Sequence, residues 1–291
     1  MCRFTQRILF CTALALLVSS SYASELAGTL KRIDKSGVVR IGYRSAEPPM
    51  SFQDGEGNAS GYSIDLCDRI ANGISRKLNR TDLQVKYIPV DAKSRFKAVA
   101  KGRIDILCGA TTVTLQRREL VDFTQLTFIT GGALLSLTDN KVVTIKDLQN
   151  KKVGVVKNTT TIAALEDALD VAVVNAEIVP MDSASDAIAS LAQGKIDVFS
   201  SDQVVLIGLV QNSDDIEKSR FYLSPRLISL EPFALAVTRD DAEFRLVADT
   251  VLAQLYRTGQ IMQIYNKWFG KLAPRMPPEL EALYVLNAIP E

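Results

Sequence analysis

Arg117 follows a strand end in TTVTLQR, and Asp202 closes a second strand in KIDVFSSD. A guanidinium presents a planar fork of donors that fits a carboxylate through two hydrogen bonds. An aspartate accepts from an ammonium. The pair, set at two facing edges, would hold a small zwitterion by both ends. Thr112 adds a hydroxyl at the strand end that precedes Arg117. Asn158-Thr159-Thr160-Thr161 precedes a helix, whose first backbone N–H groups could complete a carboxylate cradle. Two further arginines sit at element ends: Arg44 ends VVRIGYR and Arg95 opens the helix in SRFKAVAKG. Plainer roles stand beside these. Arg117 could be a surface residue like Arg118, and Asp202 and the threonines could be ordinary helix caps.

Other chemistries are excluded by what is missing. The 291 residues contain no histidine. That removes His-based acid–base catalysis, Ser-His nucleophiles and most zinc sites. There is no Walker A motif and no nucleophile elbow. DGEGNASG, from Asp54 to Gly61, has the wrong spacing for a dinucleotide and reads as a hairpin turn. No cofactor and no metal is expected.

The first residues have a separate purpose. MCRFTQRILFCTALALLVSSSYAS carries Arg3 and Arg7, an apolar run from Ile8 to Val18, and Ser21-Tyr22-Ala23. This is the pattern of an export signal cleaved after Ala23, and the run is shorter than the roughly 20 residues a spanning helix needs. A periplasmic location is expected. Without Arg3 and Arg7, Lys+Arg falls from 34 to 32 against 33 Asp+Glu, a net charge of about −1. Such a chain has no electrostatic reason to seek nucleic acid or an anionic membrane. Cys2 and Cys11 leave with the signal. Cys67 and Cys108 remain, and an oxidising compartment favours a bridge between them over two separate thiols.

The elements that position these residues alternate. VVRIGYR is a strand, IDLCDRIANGISRKL a helix, LQVKYIPV a strand, SRFKAVAKG a helix closed by Gly102, and RIDILCGA a buried strand. The order then restarts with a strand at Val153–Val156, a helix after NTTT, the strand NAEIVPM, the helix SASDAIASLAQG and the strand KIDVFSSD. The fold class is α/β, with two Rossmann-like lobes of largely parallel sheet. KGRIDILCGATT and QGKIDVFSSDQ read alike, about 92 positions apart. Ligands of open parallel sheets sit beyond the carboxyl ends of the strands, so two such edges would face a common cleft. QLTFITGGALLSL and SPRLISLEPFALAVTRD would cross between lobes as a two-strand hinge. Residues 24–130 and 230–291 would form lobe one, and 131–229 lobe two, with 1–23 as the signal. Two amphipathic helices split at Thr258-Gly259 would pack on lobe one.

RIGYR, GYSIDLC, DLQVKYIPV, CGATTVTLQRRELVDFTQLTF, NTTT and KWFG together resemble the type II periplasmic solute-binding proteins of ABC amino-acid importers. The nearest group is the glutamate/aspartate binders. The resemblance implies a Venus-flytrap that closes on one amino acid and docks on a membrane ABC permease; we expect it to work as a monomer. It implies Arg117 as the anchor of the α-carboxylate, with Thr112, Thr159 and Thr160 beside it, and Asp202 would take the α-ammonium. Arginines matching Arg44 and Arg95 hold the distal carboxylate in that group. Two buried cations are costly without an anion, and an acidic ligand supplies one. Three positions depart from the pattern. Ala110 and Ala92 stand where serines are usual, and Ala184 replaces a polar residue. Each forgoes a hydrogen bond worth roughly 0.5–1.5 kcal/mol.

The rival from another class is an exported dehydratase of prephenate-like acids on the same scaffold. It would reuse the arginine grip and need an acid in the cleft, for which Glu47 and Glu231 are the candidates.

Overall fold

The computed structural model describes residues 26–212, 217–271 and 275–290. The expected signal, its Ala23 cleavage site, Cys2 and Cys11 lie outside the described residues. Among the described residues no helix is long and apolar enough to cross a membrane.

The chain opens on α1 (Gly28–Ser36) and β1 (Val38–Tyr43), followed by the short strands β2 (Ala46–Glu47), β3 (Ser51–Gln53) and β4 (Ala59–Ser60). β3 and β4 pair antiparallel across the turn that the DGEGN stretch predicts. Then come α2 (Tyr62–Leu78), β5 (Gln84–Pro89), α3 (Arg95–Ala100), β6 (Ile106–Cys108), the one-turn α4 (Leu115–Arg118) and the long β7 (Val121–Thr130). β8 (Gly132–Leu137) continues β7 into a second sheet with β9 (Lys152–Val156), α5 (Thr160–Ala172), β10 (Glu177–Met181), α6 (Ala184–Ala192), β11 (Val198–Asp202), α7 (Gln203–Gln211) and β12 (Phe221–Leu223). The chain returns through β13 (Glu231–Thr238) and ends in α8 (Ala242–Arg257), α9 (Ile261–Phe269) and α10 (Pro278–Leu286).

The two large sheets run β5-β1-β6-β13-β7 and β10-β9-β11-β8-β12. In each, the first three strands are parallel, as the strand–helix alternation requires, and the last two, β13-β7 and β8-β12, join antiparallel. Adjacent residues of β6 serve opposite faces. Ile106 packs with α1 and α2 through Ile33 and Ile70, while Leu107 packs with Ala98 and Val99 of α3. α5 covers one face of the second sheet, with Leu165 and Leu169 against Val153 and Val155.

The sequence repeat has a structural cause. Asp105 and Asp197 each receive the backbone N–H of a neighbouring-strand residue, Arg40 at 2.7 Å and Lys152 at 2.8 Å. Each also returns its own N–H to that residue's carbonyl, at 2.8 and 2.9 Å. The preceding Ile104 and Ile196 lie against Gly42 and Gly154, where any Cβ would collide with the isoleucine tip. Gly102 and Gly194, with φ of 62° and 67°, let each helix turn into this strand. The repeat is thus a strand-docking device, used once per lobe. It sets the central strand's register, and the register sets where the strand's far end arrives.

Cys67 of α2 and Cys108 at the end of β6 form a disulfide with Cα atoms 6.5 Å apart. Closing a loop of 41 residues contributes about 4 kcal/mol in the chain-entropy picture. It also fixes the end of β6, which leads to Ala110 and Thr112. The sequence reading stopped at two tail helices; α10 is a third, and its Tyr284 hydroxyl lies 2.7 Å from that of Tyr62.

Candidate functional site

One cavity lies between the lobes at the carboxyl ends of the central strands. It is lined by Arg44, Glu47, Arg95, Ala110, Thr112 and Arg117 from lobe one. Lobe two contributes Val156, Thr159, Thr160, Ala184, Ser201, Asp202 and Val205. All eight residues singled out from the sequence as ligand contacts are therefore in its walls. Ala92 is buried nearby but does not line it. Glu47, Ser201, Val156 and Val205 were not expected as ligand contacts; Glu47 entered only as a catalytic candidate. The serine and the valines lie beside the strand end at Asp202 and the strand that precedes the threonines, so they follow once the edge is placed.

Arg117 is aimed by its own short helix. Thr114 caps α4 by accepting from the Arg117 N–H at 3.1 Å. The guanidinium donates to the Thr112 carbonyl at 2.7 Å and lies over the Phe96 ring at 5.0 Å. Burial pulls its pKa down, against the pull of Glu231 and Asp202 upward. Arg118, one residue on, is exposed and rests on Phe123.

Arg95 is 2% exposed. Desolvation brings its pKa down to about 9, with Glu47 opposing and Arg44 and Arg117 adding to the fall. Arg44 donates from Nε to Glu47 Oε1 at 2.9 Å. The same oxygen lies 3.9 Å from Arg95 Nη1. The two cations expected to await a ligand's carboxylate therefore share one supplied by the chain.

Glu231 is the second internal carboxylate. Its Oε2 accepts from Thr112 at 2.6 Å and from Thr160 at 3.0 Å, and its Oε1 from Ser229 at 2.7 Å. Thr112 belongs to lobe one and Thr160 to lobe two, so this hinge residue fastens the lobes together. Thr159 stands at the N-cap of α5, but its hydroxyl donates to the Val156 carbonyl and caps nothing.

Asp202 occupies the N-cap position of α7 without capping it. The plainer reading of this residue thus has no hydrogen bond behind it. Its Oδ1 is buried with no partner. Desolvation, then repulsion from Glu231 and Glu47, raises its pKa well above the ordinary carboxylate range. A buried carboxyl held so is relieved by a cation, and an ammonium is the smallest that an amino acid offers.

The family model of bacterial extracellular solute-binding proteins, family 3, matches residues 39–271. The chain belongs to that family. It is 30% identical over 261 residues to the "L-glutamate/L-aspartate-binding protein" of Pseudomonas aeruginosa, covering 89% of this chain and 86% of that one. It is 28% identical over 266 residues to the "Glutamate/aspartate import solute-binding protein" of Escherichia coli K12, covering 90% and 87%. The "L-cystine-binding protein TcyJ" of the same organism is 24% identical over 254 residues, with 86% and 88% covered. Among solved structures, an ancestral arginine-binding protein bound to glutamine superposes with a TM-score of 0.71 at 26% identity, covering 80% of this chain and 98% of that one. A cysteine-binding protein from Campylobacter jejuni gives 0.73 at 24% identity, with 87% and 96% covered. The family is thus a set of amino-acid binders whose members differ in the side chain they take.

Proposed function

We propose that this chain is the substrate-binding component of an ABC amino-acid importer. It captures one free amino acid by closing two lobes, then presents the closed form to a membrane permease. The observation that carries this is the pairing of Arg117 and Asp202 from opposite lobes around one cavity, with Asp202 Oδ1 buried and unanswered. Arg117 takes the α-carboxylate, with Thr112 and the first N–H groups of α5 beside it. Asp202 takes the α-ammonium.

The division into residues 24–130 with 230–291, and 131–229, belongs to this reading. So do removal of 1–23, a periplasmic location, a monomeric state and the absence of catalysis. Support for the last point lies in Glu47 and Glu231, the acids an enzyme would need. Both are engaged by arginine, threonine or serine. Arg44 and Arg95, with the names of two relatives, favour glutamate or aspartate as the ligand. Glu47 weighs on the other side.

Titration calorimetry of ligand-stripped protein with single amino acids tests the reading. We expect saturable heat with at least one amino acid. Arg117→Ala should weaken it by roughly 2–5 kcal/mol, the usual cost of removing one partner of a buried charge pair. An Arg117→Ala protein that binds as tightly as the wild type would remove the anchor from the scheme.

A further inference from the structure

Glu47 changes what the far end of the cavity can hold. Its Oε1 is taken by Arg44 at 2.9 Å and lies 3.9 Å from Arg95. Its Oε2 and the Nε of Arg95 are both buried and both lack a hydrogen-bond partner. Among the described residues six buried side-chain polar atoms are in that state, and three belong to this cavity's walls: these two and Asp202 Oδ1. Buried polar atoms are partnered as a rule. Three such atoms around one space set the donors and acceptors that a ligand there would have to match. Asp202 Oδ1 needs a donor, which the α-ammonium supplies. Glu47 Oε2 needs a second donor, while Arg95 Nε needs an acceptor. Ala110 and Ala184 put methyl groups in the same walls and answer neither.

We propose that the site selects a free amino acid whose uncharged side chain both donates and accepts a hydrogen bond: a carboxamide or a hydroxyl. This rests on the amino-acid reading above. A carboxamide donates its N–H to Glu47 and accepts from Arg95 through its carbonyl; a hydroxyl donates its proton to the first and accepts from the second. An ionised carboxylate would serve Arg95 but meet Glu47 with like charge. An ammonium or guanidinium would serve Glu47 but add another cation beside Arg44 and Arg95. An alkyl chain leaves both atoms orphaned. The charges agree with this. Arg44, Arg95 and Arg117 are balanced by Glu47, Asp202 and Glu231. A net-neutral zwitterion keeps that balance, whereas a dicarboxylic amino acid leaves one negative charge in excess.

The test is calorimetry on the ligand-stripped wild type, with glutamine, asparagine, serine, threonine, glutamate, aspartate, arginine and leucine added singly at fixed ionic strength. At least one amide or hydroxyl amino acid should bind. Glutamate and aspartate should bind roughly 100-fold more weakly or worse, since like charges set against each other cost several kcal/mol. Glu47→Gln removes the negative charge, and the ratio of glutamate to glutamine affinity should rise by about tenfold or more. Thermal melts establish that the variant folds, and the wild-type titration decides without it.

Three results overturn the inference and leave the amino-acid reading standing. One is glutamate or aspartate binding the wild type as tightly as the best amide or hydroxyl ligand. Another is arginine or leucine binding more tightly than all of those. The third is an unchanged ratio in folded Glu47→Gln. No heat with any amino acid overturns both.

Discussion

At the scale of single residues, the cavity is marked by buried polar atoms left without partners. Asp202 is the clearest case. Its Oδ1 is buried and unpartnered, its side chain caps nothing, and its pKa lies well above the ordinary range. The folded, ligand-free protein therefore holds this proton more tightly than the unfolded chain does. That contribution to stability is full below the unfolded pKa and disappears as pH rises through the raised folded value. Above that raised value the ionised, empty site is a liability that an ammonium removes. Asp202→Asn should thus leave the empty protein at least as stable at neutral pH, while weakening amino-acid binding by roughly 2–5 kcal/mol. Melting curves against pH check the sign. The empty wild type should gain stability relative to Asp202→Asn on mild acidification, and affinity for the ligand should fall over the same interval. A wild type that loses ground to the variant on acidification would mean that Asp202 is ionised and satisfied by something within the protein.

At the scale of elements, much was legible because it is local. Strands and helices of both lobes follow from periodicity, and the Gly–basic–Ile–Asp repeat marks the central strand of each. The repeat suggested a pair of ligand edges; its Ile and Asp residues dock the strands, and its last residues, Ala110 and Thr112 in one copy and Ser201 and Asp202 in the other, line the cavity. α7 was missed because QVVLIGLVQ is apolar on every side, so no 3.6-residue period separates it from a buried strand. Glu47 pairs locally with Arg44, three positions back, but its place between two arginines could not be read from its neighbours. Its partner Arg95 is 48 positions away, and only the folded sheet brings them together. That distance in sequence is why the two arginines were read toward an acidic ligand without an internal carboxylate set beside them. α7 also approaches lobe one closely. Gly208 lies against the Pro48 carbonyl of lobe one, where no Cβ fits. Gly208→Val should therefore hold the lobes apart. We expect affinity lower by about tenfold or more, with the stability of the empty protein little changed, because closure is taxed and the lobe cores are untouched. Equal affinity in the two proteins would show that closure does not need this contact.

At the scale of the molecule, function lies in the relation between two similar halves. Each half builds its sheet with the same device, and in the proposed clamp each contributes one pole of the zwitterion site. The chain passes between them at Thr130–Gly132 and comes back just before Glu231, whose carboxylate is gripped from both lobes. A ligand that joins Arg117 to Asp202 adds free energy only to the closed arrangement, so it shifts the population toward closure. Small-angle scattering of the ligand-stripped protein, with and without a saturating amino acid known from calorimetry to bind, tests this most directly. The account predicts a smaller radius of gyration in the saturated sample, and no such change for Asp202→Asn at the same concentration. An unchanged radius in a wild type shown to be saturated would contradict it.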